Sequence, residues 1–373
     1  MLDQSIDALD ILRVVVPLPT RLRVWGNAIT AREFVVVRAH AGGWVGTGYA
    51  LARGMDIGRV VERQIKPQVI GQPVGAIRYI WNKLRASARM TGDTGLFARA
   101  LSVVDIALWD VLGKLMNAPL WRVWGGAAAS TSAATSVPCV AICGYYRFED
   151  SVQALRDEAE RLVAAGYRRF KIPFGEDLAL DVQRVRALRE VVGPDAQIGL
   201  DASGTFNTIK EALAAWRPVE SFGIDFLEDP FAAPQWELAM QLARVAPVKI
   251  AFGESITTPQ IIQHIGAANG LDIVRPDATV QHGITGFLQG VAPALENQLS
   301  IFPHYYPDIH APLAAGLGLT MIEESPGEAD TVGFGVLRAR QPVIERGEWQ
   351  MTEAAGLGID WDEDALRRFS AGA

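Results

Sequence analysis

A repeated unit in the long second part of the chain restricts the fold more than any other feature. From about residue 131 onward, a short apolar run that ends in a polar or charged residue is followed by an amphipathic helix, eight times over. Strands that alternate with helices at this spacing form parallel strand–helix–strand units, and eight such units close into a barrel. The predicted strands are Ala134–Cys143, Tyr167–Pro173, Gln197–Asp201, Ile224–Glu228, Lys249–Glu254, Asp272–Asp277, Leu299–His304 and Leu319–Glu323.

The first part of the chain follows a different pattern, which predicts a separate α+β unit. Residues 11–52 alternate apolar and polar side chains and are rich in β-branched residues, which is typical of a three-stranded antiparallel meander. Residues 58–121 change to helical periodicity and include a long apolar face from Phe97 to Leu115. This part therefore predicts a small domain that precedes the barrel.

Together these patterns predict an α/β fold, a (β/α)8 barrel of the TIM type with an N-terminal α+β capping domain. We assign residues 1–125 to the capping domain, residues 130–340 to the barrel, and residues 341–373 to a C-terminal segment that packs back on the capping domain. The length of 373 residues agrees with this division, because a barrel of this type takes roughly 250 residues and leaves room for an added module.

Charge and cysteine content exclude several classes of partner. The formal net charge is -7 and no segment gathers the Lys and Arg residues that would neutralise phosphates, so we expect no nucleic-acid partner. No apolar run approaches the roughly 18 residues of a membrane span, and residues 1–10 lack a basic targeting region. Cys139 and Cys143 predict buried thiols rather than a disulfide framework. These features predict a cytoplasmic protein with no membrane partner.

Acidic residues end three successive predicted strands. Asp201, Glu228 and Glu254 are spaced 27 and 26 residues apart, one strand–helix repeat each. In such a barrel the carboxyl ends of the strands face the active site, so the three carboxylates should project side by side into the barrel mouth. Clustered anions are costly unless a cation neutralises them, and hard oxygen ligands without nearby Cys or His favour Mg²⁺ or Mn²⁺. The alternative is that these acids only cap the helices that follow them.

The next two strands end in an Asp and a His at the same spacing. Asp277 and His304 are 27 residues apart and should lie side by side at the barrel mouth. A carboxylate next to a histidine fixes the tautomer of the imidazole and raises its basicity. The pattern predicts a general base beside a metal site.

The order and context of these residues resemble the enolase superfamily, in the mandelate racemase subgroup, over nearly the whole chain. This superfamily combines a Lys or His base with one or two Mg²⁺ ions that stabilise an ene-diolate. The resemblance implies an enolase-like modified barrel with a capping domain. The matching motifs are Leu200-Asp201-Ala202, Leu227-Glu228-Asp229-Pro230, Gly253-Glu254-Ser255, Arg275-Pro276-Asp277-Ala278 and Pro303-His304.

The resemblance implies a role for each of these side chains. Asp201, Glu228 and Glu254 would hold the Mg²⁺ that binds the carboxylate of an acid substrate, while His304 takes the α-proton and Asp277 supports it. Glu323, at the end of the eighth strand, matches the family's acid that hydrogen-bonds the substrate carboxylate from the other side. The adjacent Glu324 is an alternative for that position.

The chain departs from the subgroup on the second barrel strand. The subgroup often carries Lys-x-Lys there, whereas this chain has Lys171 followed by Pro173 on the same inward face. Pro173 has no proton to exchange, which disfavours a two-base racemase and leaves His304 to take the α-proton and to protonate a departing β-hydroxyl. Lys171 would then act as a charged or hydrogen-bonding group, with a pKa either depressed by burial or held up by the acids.

Lys-x-Pro is similar to rhamnonate dehydratase-like members, so we predict a Mg²⁺-dependent dehydratase that converts a sugar acid into a 2-keto-3-deoxy acid. A racemase or epimerase of a 2-hydroxy or amino acid, with Lys171 or a Tyr as second base, is the first alternative. A non-catalytic metal-binding barrel is the second.

Substrate contacts are expected from the first loop of the capping domain and from the barrel mouth. Arg21 is placed to pair a distal carboxylate and Trp25 to cover a sugar chain, while Tyr305 and His282 lie beside or beyond strand ends. The expected partner is a small-molecule carboxylate. Because the family often forms dimers or octamers, we also expect a homo-oligomer.

Overall fold

The computed structural model of the protein describes residues 2–24, 26–125, 135–326 and 332–371. Within these ranges the chain folds into an antiparallel sheet with helices and a parallel barrel, as the sequence predicts. No helix in the described ranges is long and apolar enough to cross a membrane.

The capping unit is built on a four-stranded antiparallel sheet in the order β14-β1-β2-β3. Its strands are β1 (Ile6–Val24), β2 (Asn27–Ala41), β3 (Trp44–Leu51) and, from the far end of the chain, β14 (Ser370–Ala371). The helices that follow are α1 (Ile57–Val60), α2 (Lys66–Val69), α3 (Ile77–Ser87), α4 (Gly95–Leu115) and α5 (Leu120–Gly125).

Two glycines allow helix α4 to lie directly on strand β3. A β-carbon at Gly48 would lie 2.0 Å from the carbonyl oxygen of Val103, and one at Gly46 would lie 2.2 Å from the backbone nitrogen of Val111. No side chain fits at either position, so the backbones of strand and helix approach as closely as they do only because both residues are glycine. The apolar residues predicted from Phe97 to Leu115 are mostly buried.

The barrel consists of eight parallel strands, each at a position that the repeat predicts. The strands are β4 (Ser136–Ile142), β5 (Arg169–Pro173), β6 (Gln197–Asp201), β7 (Phe226–Glu228), β8 (Lys249–Phe252), β9 (Ile273–Val274), β10 (Ser300–Ile301) and β11 (Ile322–Glu324). The helices between them are α6 (Ser151–Ala164), α7 (Leu178–Val192), α8 (Ile209–Trp216), α9 (Trp236–Ala243), α10 (Pro259–Ala267), α11 (Gly283–Glu296) and α12 (Pro307–Leu317).

The barrel closes at strand β11, which lies between β10 and the first barrel strand, β4. Strand β11 pairs in parallel with β4, while the contact between β10 and β11 rests on the backbone amide of Thr320, which donates to the carbonyl of Ile301 at 3.2 Å. The lower interior is apolar, and its packing leaves room for only a hydrogen at Gly199, where a β-carbon would lie 2.1 Å from the ring of Phe226. Above this layer, at the carboxyl ends of the strands, lie the buried charged side chains of Lys171, Glu228, Arg275 and Glu323.

The C-terminal segment contacts both parts of the protein. Strands β12 (Ile344–Glu345) and β13 (Glu348–Gln350) form a hairpin whose second strand pairs antiparallel with barrel strand β4. Helix α13 (Glu363–Phe369) and strand β14 then lie on the capping sheet, where the guanidinium of Arg38 is 2.6 Å from the carboxylate of Glu363. The segment thus connects the barrel to its cap.

Candidate active site

Three carboxylates meet at the ends of neighbouring barrel strands. Asp201 and Glu228 are direct partners in the register of β6 and β7, and Glu254 follows the next strand, β8. Each residue offers a carboxylate oxygen, and these oxygens all lie within 4.8 Å of one another. The spacing of one repeat in the sequence therefore becomes a single cluster in space.

The electrostatics of this cluster fit a divalent cation. Burial raises the pKa of Glu228 well above its usual value, and burial together with Asp229 and Asp201 raises that of Glu254 to about 8. One carboxylate oxygen of Glu228, Oε2, is buried and accepts no hydrogen bond from a described residue. A hard cation would stabilise the ionised carboxylates and would bind the oxygen that accepts no hydrogen bond. The donor set therefore suits Mg²⁺ or Mn²⁺.

A buried pair of cations lies beside the carboxylates on their inner side. The ammonium of Lys171 is 2.7 Å from Glu228 Oε1 and 3.1 Å from Asp201 Oδ2, and it also pairs with Glu323. The guanidinium of Arg275 donates to Glu228 Oε1 at 2.8 Å and to Glu323 Oε1 at 2.5 Å. The two cations therefore fix the direction in which Glu228 and Glu323 point.

The surroundings of Lys171 decide between the two states left open from the sequence. Burial alone would lower its pKa, but the carboxylates of Asp201, Glu228 and Glu323 outweigh burial and raise the pKa well above the usual value. These three carboxylates favour the charged ammonium of Lys171 over the neutral amine.

His304 and Asp277 form the predicted pair. His304 Nδ1 lies 2.9 Å from Asp277 Oδ2, while Asp277 Oδ1 accepts hydrogen bonds from the amide and hydroxyl of Thr279 at 2.7 and 2.8 Å. Because the carboxylate only accepts, Nδ1 carries the proton and Nε2 keeps a lone pair. Nε2 lies 3.3 Å from Glu254 Oε2, at the metal cluster.

The protonation state of His304 suits proton abstraction. Burial lowers its pKa well below the usual value, and the nearby charges of Lys171 and Arg275 lower it further. Burial raises the pKa of its partner Asp277 to about 6, so that carboxyl group is mainly ionised at neutral pH. A neutral imidazole held by a carboxylate is able to take a proton from a substrate next to the carboxylate cluster.

The two adjacent acids at the end of β11 occupy different environments. Glu323 is buried between Lys171 and Arg275, and its Oε2 accepts a hydrogen bond from the amide of Tyr305 at 2.6 Å. Glu324 lines a separate groove that also contains Tyr167. Strand alternation thus directs Glu323 and not Glu324 toward the interior of the barrel.

A cavity of about 220 Å³ lies over the carboxylate cluster, between the barrel and the cap. This is smaller than the roughly 300–1,000 Å³ of pockets for drug-sized ligands, which suits a small metabolite. The barrel lines the cavity with Tyr145, Lys171, Pro173, Asp201, Glu254, His304 and Tyr305. The cap contributes mostly cations, namely Arg23, Arg32 and Arg53.

The predicted substrate contacts are only partly found at this cavity. Tyr305 lines it, but Arg21 is exposed and stacks on Phe148, with 4.2 Å from its guanidinium carbon to the ring centre. His282 is fully buried away from the lining, where its Nε2 lies 2.5 Å from the carbonyl oxygen of Asp93 and burial lowers its pKa to about 4. Trp25 lies outside the described residues.

Several cavity and cluster residues were missed by the sequence reasoning. Arg275 belongs to the motif Arg275-Pro276-Asp277-Ala278. The signal that identifies it as a site residue is its charge at a position directly after the apolar strand Ile273–Val274. Arg32 and Arg53 come to the cavity through docking of the cap on the barrel, and local sequence carries no signal of that docking.

Comparison with known proteins gives two family matches that together span most of the chain. Residues 9–125 match the model of the mandelate racemase/muconate lactonizing enzyme N-terminal domain. Residues 154–365 match the model of the enolase C-terminal domain-like family.

Individual relatives include enzymes of two named activities. The chain is 31% identical over 266 residues to an arabinonate dehydratase of Saccharolobus solfataricus, covering 70% of this chain and 69% of that protein. It is 28% identical over 363 residues to a 3,6-anhydro-alpha-L-galactonate cycloisomerase of Streptomyces coelicolor, covering 96% and 97%. A crystal structure of a racemase from Streptomyces coelicolor A3(2) with bound magnesium superposes with a TM-score of 0.88, at 26% identity over 98% of this chain and 100% of that one.

Proposed function

The chain belongs to the mandelate racemase/muconate lactonizing enzyme family of the enolase superfamily, and from this membership we propose that it is a Mg²⁺-dependent dehydratase of a sugar acid. The substrate is an aldonate or aldarate and the product is a 2-keto-3-deoxy acid. One observation carries the proposal: among the described residues a single imidazole, that of His304, lies at the carboxylate cluster, 3.3 Å from Glu254, while Pro173 stands where the family often has its second base.

Asp201, Glu228 and Glu254 would hold the Mg²⁺. When bound, the ion supplies the positive charge that neutralises the three carboxylates and stabilises the charge that develops on the substrate carboxylate. The magnesium in the related racemase structure supports this assignment.

His304 moves the proton. Its Nε2 takes the α-proton of the substrate, and the Asp277 carboxylate, 2.9 Å from Nδ1, stabilises the imidazolium that results. The same imidazolium returns the proton to the β-hydroxyl, which leaves as water when its bond to carbon breaks. The remaining enol converts to the 2-keto-3-deoxy acid when C3 takes a proton from solvent and the enol hydroxyl releases its proton to solvent.

Lys171 and Glu323 position the reacting groups. The high pKa of Lys171 keeps it an ammonium, which directs positive charge at the substrate carboxylate and at the ligand Glu228. Glu323 is buried against Lys171 and Arg275 and is not among the residues that line the cavity. We assign it the hydrogen bond to the substrate carboxylate on the family resemblance. With Lys171 charged and Pro173 unable to exchange a proton, one base serves both proton transfers.

A second candidate is a cycloisomerase or another isomerase that uses the same proton abstraction. The observation in its favour is the similarity to a cycloisomerase over 96% of this chain. Dehydratases and isomerases of this kind share the first step, so the product separates them: an isomerase would shift or exchange the α-proton without releasing water.

A screen for 2-keto acids tests the proposal. The protein with Mg²⁺ is incubated with a panel of aldonates, aldarates and their lactones, beside the variants His304→Asn and His264→Asn. His264 is exposed on helix α10 and makes a matched control. We expect a 2-keto acid from at least one substrate, lost in His304→Asn and kept in His264→Asn. Isomerised products would favour the second candidate. The absence of both product formation and α-proton exchange would favour a non-catalytic barrel.

We also propose that the protein is cytoplasmic and assembles into a homo-oligomer, between dimer and octamer. Both proposals rest on the family and on composition. Light scattering of the purified protein tests the second of them, and a monomeric mass would contradict it.

A further inference from the structure

A second buried histidine joins the two loops that carry Asp277 and His304. His310 lies on helix α12 and is fully buried. Its Nδ1 is 2.6 Å from the carbonyl oxygen of Tyr305, the residue directly after His304. Its Nε2 accepts a hydrogen bond at 3.1 Å from the amide of Ala278, the residue directly after Asp277. One imidazole ring therefore spans the loops that follow strands β9 and β10.

The two backbone partners fix the protonation state of this ring. A carbonyl oxygen only accepts a hydrogen bond, so Nδ1 carries a proton, and a backbone amide only donates, so Nε2 carries none. Burial lowers the pKa of His310 to about 4, which keeps the imidazole neutral at neutral pH. Both ring nitrogens are thus occupied by backbone groups, and neither is free to exchange a proton with a substrate.

His310 lies outside the lining of the cavity over the carboxylate cluster. Its ring stacks on that of Phe287, with 5.7 Å between the ring centres and 29° between the ring planes, and Tyr306 packs edge-on against it. Its Nε2 is 3.9 Å from Asp277 Oδ1, which is beyond hydrogen-bonding distance. Any influence of His310 on proton transfer must therefore pass through the backbone that it holds.

The backbone that His310 holds adopts an unfavourable conformation directly after His304. Tyr305 and Tyr306 have φ values of +49° and +48°, in the left-handed region that is costly for residues with a β-carbon. The amide of Tyr305 donates to Glu323 Oε2 at 2.6 Å, and its carbonyl accepts from His310. A strained turn at a functional site persists only where its surroundings hold it, and His310 is part of those surroundings.

The barrel strands hold the two loops together only up to the level of the site. The ladder between β9 and β10 ends at the pair Val274 and Ile301, and the amide of His304 then donates to the carbonyl of Pro276 at 3.0 Å. Beyond this bond the two loops lead into different helices, α11 and α12. His310 bridges them where they diverge.

We propose that His310 is a positioning residue that sets the distance and angle between His304 and Asp277 by holding the backbone after each of them. The inference rests on the proposed function, in which His304 takes the α-proton. The contact of 2.9 Å between His304 Nδ1 and Asp277 Oδ2 requires that two loops from different strands keep their separation. His310 offers a donor to one loop and an acceptor to the other, and thus acts as a rigid spacer between them.

Steady-state kinetics of the Mg²⁺-loaded protein test this role, with the sugar acid that gives the largest 2-keto acid signal in the panel. His310→Phe keeps a ring against Phe287 and removes both nitrogens. We expect kcat to fall by about 10- to 100-fold while KM changes less than about threefold, because a small displacement of the base is costly and the substrate contacts are untouched. Ser102→Ala is the matched control and should keep kcat, since it removes an equally buried hydrogen bond to a backbone amide, that of Gly283.

Rescue and a double substitution separate positioning from a general loss of structure. The side chain introduced by His310→Gln can accept from Ala278, and that introduced by His310→Asn can donate to Tyr305, so each should recover part of the turnover lost in His310→Phe. In the Asp277→Asn background His310→Phe should cost less than about threefold, because His310 acts through the same pair. Melting temperatures identify any loss of folding, and His310→Gln replaces His310→Phe if the latter does not fold.

Crystal structures of the variants give a readout that does not depend on activity. We expect the distance from His304 Nδ1 to Asp277 Oδ2 to exceed about 3.5 Å in His310→Phe and to stay near 2.9 Å in Ser102→Ala. The positioning role would be overturned by an unchanged distance or kcat in His310→Phe, by a loss confined to KM, by no recovery in either amide variant, or by an undiminished loss in the Asp277→Asn background. A disturbed pair in a protein whose wild type removes no proton from any acid overturns the proposed function alone.

Discussion

His304 depends on Asp277 for its tautomer, and this dependence can be measured. In Asp277→Asn the amide can donate to Nδ1, which would move the imidazole proton to Nε2 and remove the lone pair that faces the carboxylate cluster. We expect turnover to fall by roughly 10³- to 10⁴-fold, as in comparable carboxylate–histidine pairs. Stabilisation by Mg²⁺ should persist, since the ligands are untouched. Turnover within tenfold of the wild type would contradict this role for Asp277.

Lys171 is predicted to stabilise the fold as well as the site. Removing its ammonium in Lys171→Met leaves the buried carboxylates of Glu228 and Glu323 with Arg275 as their remaining close cation. Breaking a buried ion pair from one side typically costs about 3–5 kcal/mol, so we expect a loss of that order in the free energy of unfolding. Urea titration in EDTA measures it.

The control for Lys171 is an exposed ion pair. Lys66 pairs with Glu62 at 3.0 Å across one turn of solvent-exposed helix, and Lys66→Met should cost less than about 1 kcal/mol. Similar losses for Lys171→Met and Lys66→Met would contradict the buried-network role.

Individual residues show which parts of the candidate site can be predicted from the sequence. The positions of five residues were predictable because each lies at the end of a barrel strand or within three residues of it, and barrel topology alone brings strand ends together: Asp201, Glu228, Glu254, Asp277 and His304. His282 lies just beyond a strand end, yet its left-handed backbone and its packing on Trp81 direct it into the cap interface instead. Positions set by the docking of two domains leave no local pattern in the sequence.

Helix α4 of the cap supplies the N-terminal cap of barrel helix α11. Ser102 Oγ accepts a hydrogen bond from the amide of Gly283 at 2.9 Å, and Asp105 accepts from the amide and hydroxyl of Thr285 at 2.8 and 2.7 Å. These bonds satisfy amide groups that the first turn of a helix leaves without partners. The two domains are thus joined by a capping interaction that normally forms within one segment.

This contact makes stability depend on pH in a predictable direction. Burial raises the pKa of Asp105 to about 7, above its ordinary value near 4, so the folded state binds the proton more tightly than the unfolded state. The contribution of Asp105 to the stability of the protein is therefore greatest below about pH 4. It is lost as the pH rises toward 7, by up to about 1.4 kcal/mol per pH unit.

The variant Asp105→Asn isolates this contribution because its amide does not titrate. Because only the wild type loses stability as its carboxyl group ionises, we expect the free energy of unfolding of the variant minus that of the wild type to increase from pH 5 to pH 8. Denaturant titrations at several pH values measure the difference. A difference that is independent of pH would show that the Asp105 carboxyl group has no raised pKa in the folded protein.

The fold as a whole was largely predictable because its repeat is long and regular. All eight barrel strands lie within or next to the predicted runs, and the antiparallel meander of the cap is observed in the expected order. The C-terminal segment was harder to predict, since its β13 pairs with barrel strand β4 while its last residues join the capping sheet. Pairings between distant segments leave no periodic signal in either one.

The carboxylate cluster connects metal binding to the stability of the whole protein. An ion that binds the folded state alone stabilises it by RT ln(1 + [L]/Kd), about 2.7 kcal/mol at a hundredfold excess over Kd. We expect the melting temperature to rise with Mg²⁺ and to return to its starting value in EDTA. Asp201→Asn should abolish the rise, while Asp225→Asn, at the opposite end of the barrel, should keep it. No Mg²⁺ dependence in wild-type protein would contradict the metal site.

A proton NMR experiment in D₂O with Mg²⁺ and the panel of sugar acids tests the dehydratase assignment without any coupled assay. We expect the C2 proton signal of one substrate to disappear as a 2-keto-3-deoxy acid forms with one solvent deuteron at C3. The reaction should be absent in His304→Asn. Exchange or inversion at C2 without loss of water would contradict the dehydratase assignment, and unchanged C2 signals across the panel would contradict proton abstraction by His304.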